Sequence, residues 1–411
     1  MTDIQGAVAG LGDAAFSEAA LVQHIHPLFS RALQHAGKEI YLANHSLGRP
    51  LDQTSVDVQE AMRFWYERMD AAWDDWLSER EAFRHRVARL IKAARADCIV
   101  PKASAGQGLR AVLNCFDERI GVVTTCDEFD SIDTVLKVYA QRGRIDITYV
   151  EPDATGSYQV EDILNALDKS TRLLVVSLVL YSTGQLLHGL QTAIANAQAR
   201  GTLVLVDLYH AAGAMPVDVQ ELNADFAIGG CYKYLRGGTG AGWLYLHPRH
   251  LDGTFQTLDT GWFALAAPLD FERTARPRFS GGGDAFLEST PAILPFYQAR
   301  AGLEFVLALG VERLRDYSLR QQRYLEELLA EQRVSVIGTP EQRGAFLATP
   351  HERSVDLARR LRQQGVIADA RERMLRLCPD ILNTEQELTE AVARLAQTLR
   401  SERGVRERNA G

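Results

Sequence analysis

The chain has 411 residues, 46% hydrophobic and 24% charged, with a formal net charge of −8. That is more chain than one ordinary core holds, so a large domain plus a smaller one is expected. The acidic balance, with no long basic run, excludes a general nucleic-acid binder. No stretch of about 18 uncharged apolar residues offers a membrane span.

The N-terminal stretch lacks the basic start of a secretory signal. The five cysteines, Cys98, Cys115, Cys126, Cys231 and Cys378, form no CxxC and no metal-type spacing with histidine. Both features predict a cytoplasmic protein with reduced thiols and no metal centre.

In chain order, residues 1–36 read as an N-terminal helical arm, 37–295 as a large domain and 296–411 as a small C-terminal domain. The charged tail from about residue 401 is expected to fray. Residues 61–96, AMRFWYERMDAAWDDWLSEREAFRHRVARLIKAARA, contain no Gly or Pro and predict one long helix. Most of the aromatics there, Phe64, Trp65, Tyr66, Trp73, Trp76 and Phe83, are assigned to core packing. From about residue 98 the texture changes. The apolar runs DCIVPK, RIGVVTTC, IDITYVEP, RLLVVSLVL and TLVLVDLYH alternate with amphipathic helical patterns. Continuous apolar strands between such helices predict a mostly parallel sheet covered on both faces. DFAIGG and GWLYLHP add two short strands. Beyond residue 295 helices dominate, with strand-like pieces at RVSVIG, GAFLATP, VIADAR and MLRLCP, which is an α+β pattern.

Only six of the 45 Lys and Arg residues are lysines. One of them, Lys233, stands between two tyrosines in GGCYKYLRGGTGAG. A lysine amine forms a Schiff base with a carbonyl cofactor, and becomes nucleophilic where its site lowers its pKa. One strand earlier, TLVLVDLYHAAGAMPVD ends its apolar run in Asp207, with His210 close behind. A carboxylate at a buried strand end needs a cationic partner, and a protonated pyridinium is one. Upstream, VPKASAGQGLRAVLN gives a strand end, small residues and a helix start. There the backbone N–H groups of Ser104 and Ala105 face an anion. Taken singly these are a capping carboxylate, a satisfied buried histidine, a solvated lysine and an ordinary helix start. In this order they make the protein half of a pyridoxal 5′-phosphate (PLP) site.

Seven segments carry a wider likeness: YLANHSLGRP, LYSTGQLLHGL, LVDLYHAAGAMPVD, CYKYLRGGTGA, GWF at 261–263, ESTPAIL at 288–294 and MLRLCPDILNT. Through them the chain, from about Tyr41 to Asn383, resembles the fold-type I PLP-dependent enzymes. It is similar to the class V aminotransferase branch, and within that to the kynureninases. The resemblance implies an α/β fold: an aspartate aminotransferase-like large domain with a mainly parallel seven-stranded sheet, plus a small α+β domain.

The roles it implies fall on particular residues. Lys233 would hold PLP covalently and move protons. Tyr232 would bond the phosphate and assist proton transfer. Asp207 would hold the pyridine nitrogen protonated, with His210 beside it. Phe129 would stack on the ring, and Ser104 and Ala105 would bind the phosphate. Trp262 and Thr290 would reach the cofactor from a second subunit of a homodimer, although Trp262 has an equal plain reading as core. Arg376 would clamp the α-carboxylate of an amino-acid substrate. A buried arginine needs a carboxylate in any case, from protein or substrate. Ser46 and His45 would lie at the substrate.

The chain departs from the family pattern in four places. Ile132 stands where an aspartate is expected, leaving Asp130 or Asp133 to replace it. Leu180 and His45 replace asparagines, and Gln107 stands where asparagine is usual. The implied reaction is kynureninase-like hydrolysis of a Cβ–Cγ bond. The alternatives are a class V aminotransferase, or another PLP-dependent lyase or desulfurase, for which Cys378 in its apolar run is a poor nucleophile. A non-catalytic PLP-fold protein is a third reading, and the presence of Lys233 and Asp207 together speaks against it.

Overall fold

The computed structural model describes residues 3–37, 39–270 and 273–410. Its strands, in chain order, are β1 (Ile40–Tyr41), β2 (Ile99–Lys102), β3 (Ile120–Thr125), β4 (Ile145–Val150), β5 (Thr171–Ser177) and β6 (Leu203–Asp207). They continue with β7 (Phe226–Gly230), β8 (Gly242–Leu246), β9 (Leu347–Pro350), β10 (Val366–Ile367), β11 (Asp369–Arg371) and β12 (Met374–Leu377).

Seven of these form one sheet in the order β2-β8-β7-β6-β5-β3-β4. Only β8 runs against its neighbours; the pairings of β3, β4, β5, β6 and β7 are parallel. Strands β6 and β7 are almost wholly buried, as their unbroken apolar runs require of a sheet with helices on both faces. Each fully buried Val or Leu there contributes roughly 1.5–3 kcal/mol.

The second layer of organisation lies toward the C-terminus. An antiparallel sheet, β11-β12-β9, packs with helices Val311–Glu331, Ser354–Gln363 and Glu385–Ala410 around Leu325, Leu347, Leu357, Leu375 and Leu388. The N-terminal β1 pairs in parallel with β10, tying the segment after the arm to this unit. The arm itself folds into short helical turns. Its Leu21, Ile25 and Phe29 are buried in the main core with Phe305 and Leu309. The last helix extends to Ala410, through the segment read as frayed.

Two local expectations are corrected. Residues 61–96 are not one helix: helices Gln53–Arg68 and Ala72–Leu90 are separated at Met69, whose φ is +50°. The break returns the second helix to the first. Trp76 Nε1 donates to the Ala61 carbonyl at 3.2 Å, and the Trp65 and Trp76 rings meet edge to face. Phe83 and Phe64 are buried, while Trp65 and Tyr66 are exposed. A left-handed non-Gly residue carries no reliable sequence signal. Secondly, RVSVIG forms no strand. Only Ile337 reaches β9, through one N–H to the Ala348 carbonyl.

Candidate active site

The C-terminal ends of the parallel strands open on a cavity of about 260 Å³, the place where open α/β sheets carry their ligands. Strands β5 and β6 end together, with Ser177 paired to Asp207. Asp207 is buried, and its Oδ1 accepts from the Tyr209 N–H at 2.7 Å.

The loop after β7 is closed by Cys231 N–H to the Ala241 carbonyl and Gly237 N–H to the Cys231 carbonyl. It carries Lys233 inward. The loop's conformation is strained at Arg236, with φ +56°. The Arg236 guanidinium is anchored by two bonds to Asp380, at 2.8 and 2.9 Å. The chain at Gly48 lies directly on this loop. Its N–H donates to the Tyr232 carbonyl, and a Cβ there would stand 2.0 Å from the Lys233 carbonyl oxygen. Only glycine fits so close an approach.

Lys233 Nζ and His210 Nε2 are 2.7 Å apart. The amine also lies 5.6, 5.4 and 5.7 Å from the ring centres of Phe129, Tyr209 and Tyr232. Burial pushes the Lys233 ammonium down; Asp207 opposes this and Arg376 and Arg371 add to it. Burial raises Asp207, against the Tyr209 N–H and the charge of Lys233. Burial also drives His210 well below its usual range, so the imidazole is neutral. Its Nδ1 is buried without a hydrogen-bond partner. On the opposite side, helix Ala105–Leu113 begins at the cavity, with Ser104 as its cap: Ser104 Oγ accepts from the Gln107 N–H. Gln107 in turn holds Glu288 through its amide.

Seven of the sequence-predicted residues therefore line one cavity: Ser104, Ala105, Phe129, Asp207, His210, Tyr232 and Lys233. Gly106, Ser131, Ser177, Tyr181 and Tyr209 join them unpredicted. Ser177 had a signal in the sequence, since it ends an apolar strand in a polar residue as Asp207 does.

Arg376 and His45 stand behind this lining. Arg376 donates to the Tyr181 carbonyl and to Asp369, so its carboxylate partner within the chain is Asp369. Its Nε is buried without a partner. Burial lowers His45 to about 3. The ring stacks on Phe346 at 4.7 Å, and its Nε2 is 3.5 Å from Asp369, too long for a strong bond. Asp369 is opposed by burial but held well below the usual carboxylate range by His45, Arg376 and Arg371. Its pairing was legible in principle. The two-residue turn Glu372-Arg373 sets Asp369 across from Arg376 in the β11–β12 register.

Ser46, Trp262 and Thr290 are not among the residues lining the cavity. Ser46 sits in a turn, bonded to the Ala43 carbonyl. Trp262 Nε1 donates to Thr290 Oγ1 at 3.3 Å. Asp133 is engaged by Tyr149 and Lys137, and Ile132 is buried in the core.

A profile of the family Aminotransferase class-V matches residues 70–384. The chain belongs to the class V aminotransferase family. It is thereby an enzyme of the PLP-dependent kind. It is 30% identical over 377 residues to the kynureninase of Salinispora tropica, covering 85% of this chain and 86% of that protein. It is 28% identical to that of Bacillus anthracis, covering 88% and 89%. Among solved structures, the cysteine desulfurase CsdA of Escherichia coli aligns with a TM-score of 0.79 at 20% identity, over 94% of this chain and 99% of that one. A complex of the cystine C-S lyase C-DES with cysteine persulfide aligns with a TM-score of 0.78 at 19% identity, over 88% and 98%. At these identities the structural likeness establishes the fold.

The cavity of this class V enzyme suits PLP. A helix start offers N–H groups to an anion, a buried carboxylate and an amine made nucleophilic by burial face the same space, and aromatic rings line it. Buried His210 Nδ1 has no protein partner to compete with a ligand.

Proposed function

We propose that the protein is a kynureninase-like hydrolase that cleaves the Cβ–Cγ bond of an amino acid such as kynurenine, giving alanine and an aromatic acid. The observation that carries this reading is the meeting of Lys233, Asp207, His210, Phe129, Tyr232 and the Ser104–Ala105 helix start in one cavity, in a chain 30% identical to a kynureninase over most of its length.

Lys233 would hold the cofactor covalently, and its amine, kept neutral by burial, would take the substrate α-proton. When bound, PLP supplies an electron sink for the carbanion at the substrate Cα. Asp207 would pair with the ring nitrogen. Ser104 and Ala105 would hold the phosphate with Tyr232, and Phe129 would cover the ring. His210, neutral, would orient the lysine amine through the 2.7 Å contact. A substrate carboxylate on Arg376 would give the partnerless Nε an acceptor. His45 and Ser46 would bound the substrate side.

Trp262 and Thr290 bond to each other away from their own chain's cavity, which supports their serving the site of a second subunit in a homodimer. The division at about residue 295 between a PLP-binding domain and a small domain belongs to the same reading. Unpaired cysteines accord with a cytoplasmic setting, and no helix among the described residues is long and apolar enough to cross a membrane. A desulfurase that uses Cys378 is disfavoured, because burial pushes that thiol far up.

The test is to load purified protein with PLP and add L-kynurenine, then 3-hydroxykynurenine, following fluorescence of the aromatic product together with alanine. Turnover that vanishes in Lys233→Ala supports the hydrolase. A cofactor spectrum that responds to amino acids without product would sink it. Conversion to the pyridoxamine spectrum, reversed by oxo acids, would assign an aminotransferase.

A further inference from the structure

Glu128 precedes Phe129 and lies beneath the cavity, with no part in the function proposed above. It is buried at 3% exposure, yet among the described residues no Lys, Arg or His forms an ion pair with it. Its contacts are all to uncharged groups. Oε1 meets the Ser177 N–H at 3.0 Å and Thr125 Oγ1 at 2.9 Å, and Oε2 lies 2.6 Å from Ser177 Oγ. Ser177 itself lines the cavity and pairs in register with Asp207.

Two titratable groups face Glu128: Asp207 at the end of β6, beside Ser177, and Tyr158 ahead of helix Val160–Asn165. The Asp207 carboxylate disfavours a second negative charge, while the Tyr158 phenol, pushed far up by burial, stays neutral and offers no cation. A buried carboxylate without a cation would be expensive; a buried carboxylic acid with three polar contacts is not. Burial accordingly raises Glu128 to about 8, with Asp207 adding to the effect and the Ser177 and Thr125 bonds opposing it.

We propose that Glu128 is a positioning residue in the form of a neutral acid: its O–H donates to Ser177 Oγ, leaving the Ser177 hydroxyl hydrogen free to donate into the cavity beside Asp207. An ionised Glu128 would instead accept that hydrogen and leave the cavity without the donor. Ser177 is thereby fixed as a donor, suited to an acceptor atom on the bound cofactor. That ligand half rests on the PLP reading; the protonation half does not.

Two measurements test it. First, the infrared C=O stretch of a protonated carboxyl should be present in wild-type apoprotein at pH 7 and lost in E128Q; its absence from wild type overturns the proposal. Second, PLP dissociation constants should rise about tenfold in both S177A and E128A, the weight of one buried hydrogen bond, with the double variant no weaker than either. E128Q, whose amide N–H donates in the same place, should remain within about threefold of wild type. S177A binding PLP like wild type, or E128Q as weak as E128A, overturns it. If E128A fails to fold, E128Q and S177A still decide. Should wild type give no visible band with PLP, the cofactor reading falls, and the infrared band alone decides the state of Glu128.

Discussion

On the large-domain wall of the cavity, Lys233, Asp207 and His210 are buried with few protein partners, and burial shifts each toward its neutral form. On the small-domain side, Arg376 is bonded to Asp369 and the Tyr181 carbonyl, and Asp369 also takes Arg371 at 2.7 Å. One wall keeps reactive groups that a ligand would complete. The second wall, the Arg376 group behind the lining, has largely neutralised itself, leaving one surplus guanidinium and one partnerless Arg376 N–H. The contrast teaches where specificity sits. Under the proposed function, the first wall would hold the cofactor, whereas the second would trade part of an internal ion pair for a substrate carboxylate.

The sharpest way to break this contrast is to remove the amine. Lys233→Ala should lower kcat by at least about 10⁴-fold, since covalent tethering and general-base action are lost together. It should also abolish the lysine-dependent visible band on PLP addition. Turnover within tenfold of wild type would remove Lys233 from the chemistry.

The second wall is tested by a pair of variants. Arg376→Ala should raise KM by about 100-fold, as for a buried charge partner removed from an interface. Asp369→Asn should instead lower the stability of the free protein by about 3 kcal/mol, because it leaves Arg376 without its anion. Amino-acid substrate should restore part of that loss, read as a larger ligand-induced rise in Tm than in wild type. Equal Tm shifts in the two proteins would show that Asp369 does not share Arg376 with the substrate.

A pH series sharpens the comparison further. The folded pKa of Glu128, about 8, lies above the unfolded value. Between the two, the folded state holds a proton the unfolded chain has released. Its contribution therefore falls as pH rises through that window, and E128Q lacks this slope. The stability of E128Q relative to wild type should climb from about pH 5 to about pH 8, on the order of 1 kcal/mol per pH unit. A flat difference in chemical denaturation would mean that Glu128 is ionised in the folded state. The smallest effect is expected far from either wall. Tyr66→Ser, on the exposed end of helix Gln53–Arg68, should change stability by less than about 0.5 kcal/mol. A larger loss, accompanied by dissociation of a dimer, would place Tyr66 in a subunit interface.

The amino-acid sequence by itself determined the sheet and its ligand edge. Unbroken apolar runs such as LVLVD can be buried only in a sheet covered on both faces, and their ends fix where Asp207, Lys233 and the Ser104 helix start must meet. These signals are local, because hydrophobic period and residue type act within one element. Tertiary structure alone decided the rest. Met69 breaks a helix that composition favours, because a left-handed turn there lets Trp76 return to Ala61. Arg236 takes a strained φ because Asp380, far along the chain, anchors it. Gly48 is required because the distant loop carrying Lys233 lies directly against it. Glu128 is buried without a cation because Ser177, at the end of β5, closes on its carboxyl. In each case the deciding energy comes from a contact between residues remote in sequence, which no window of the chain contains.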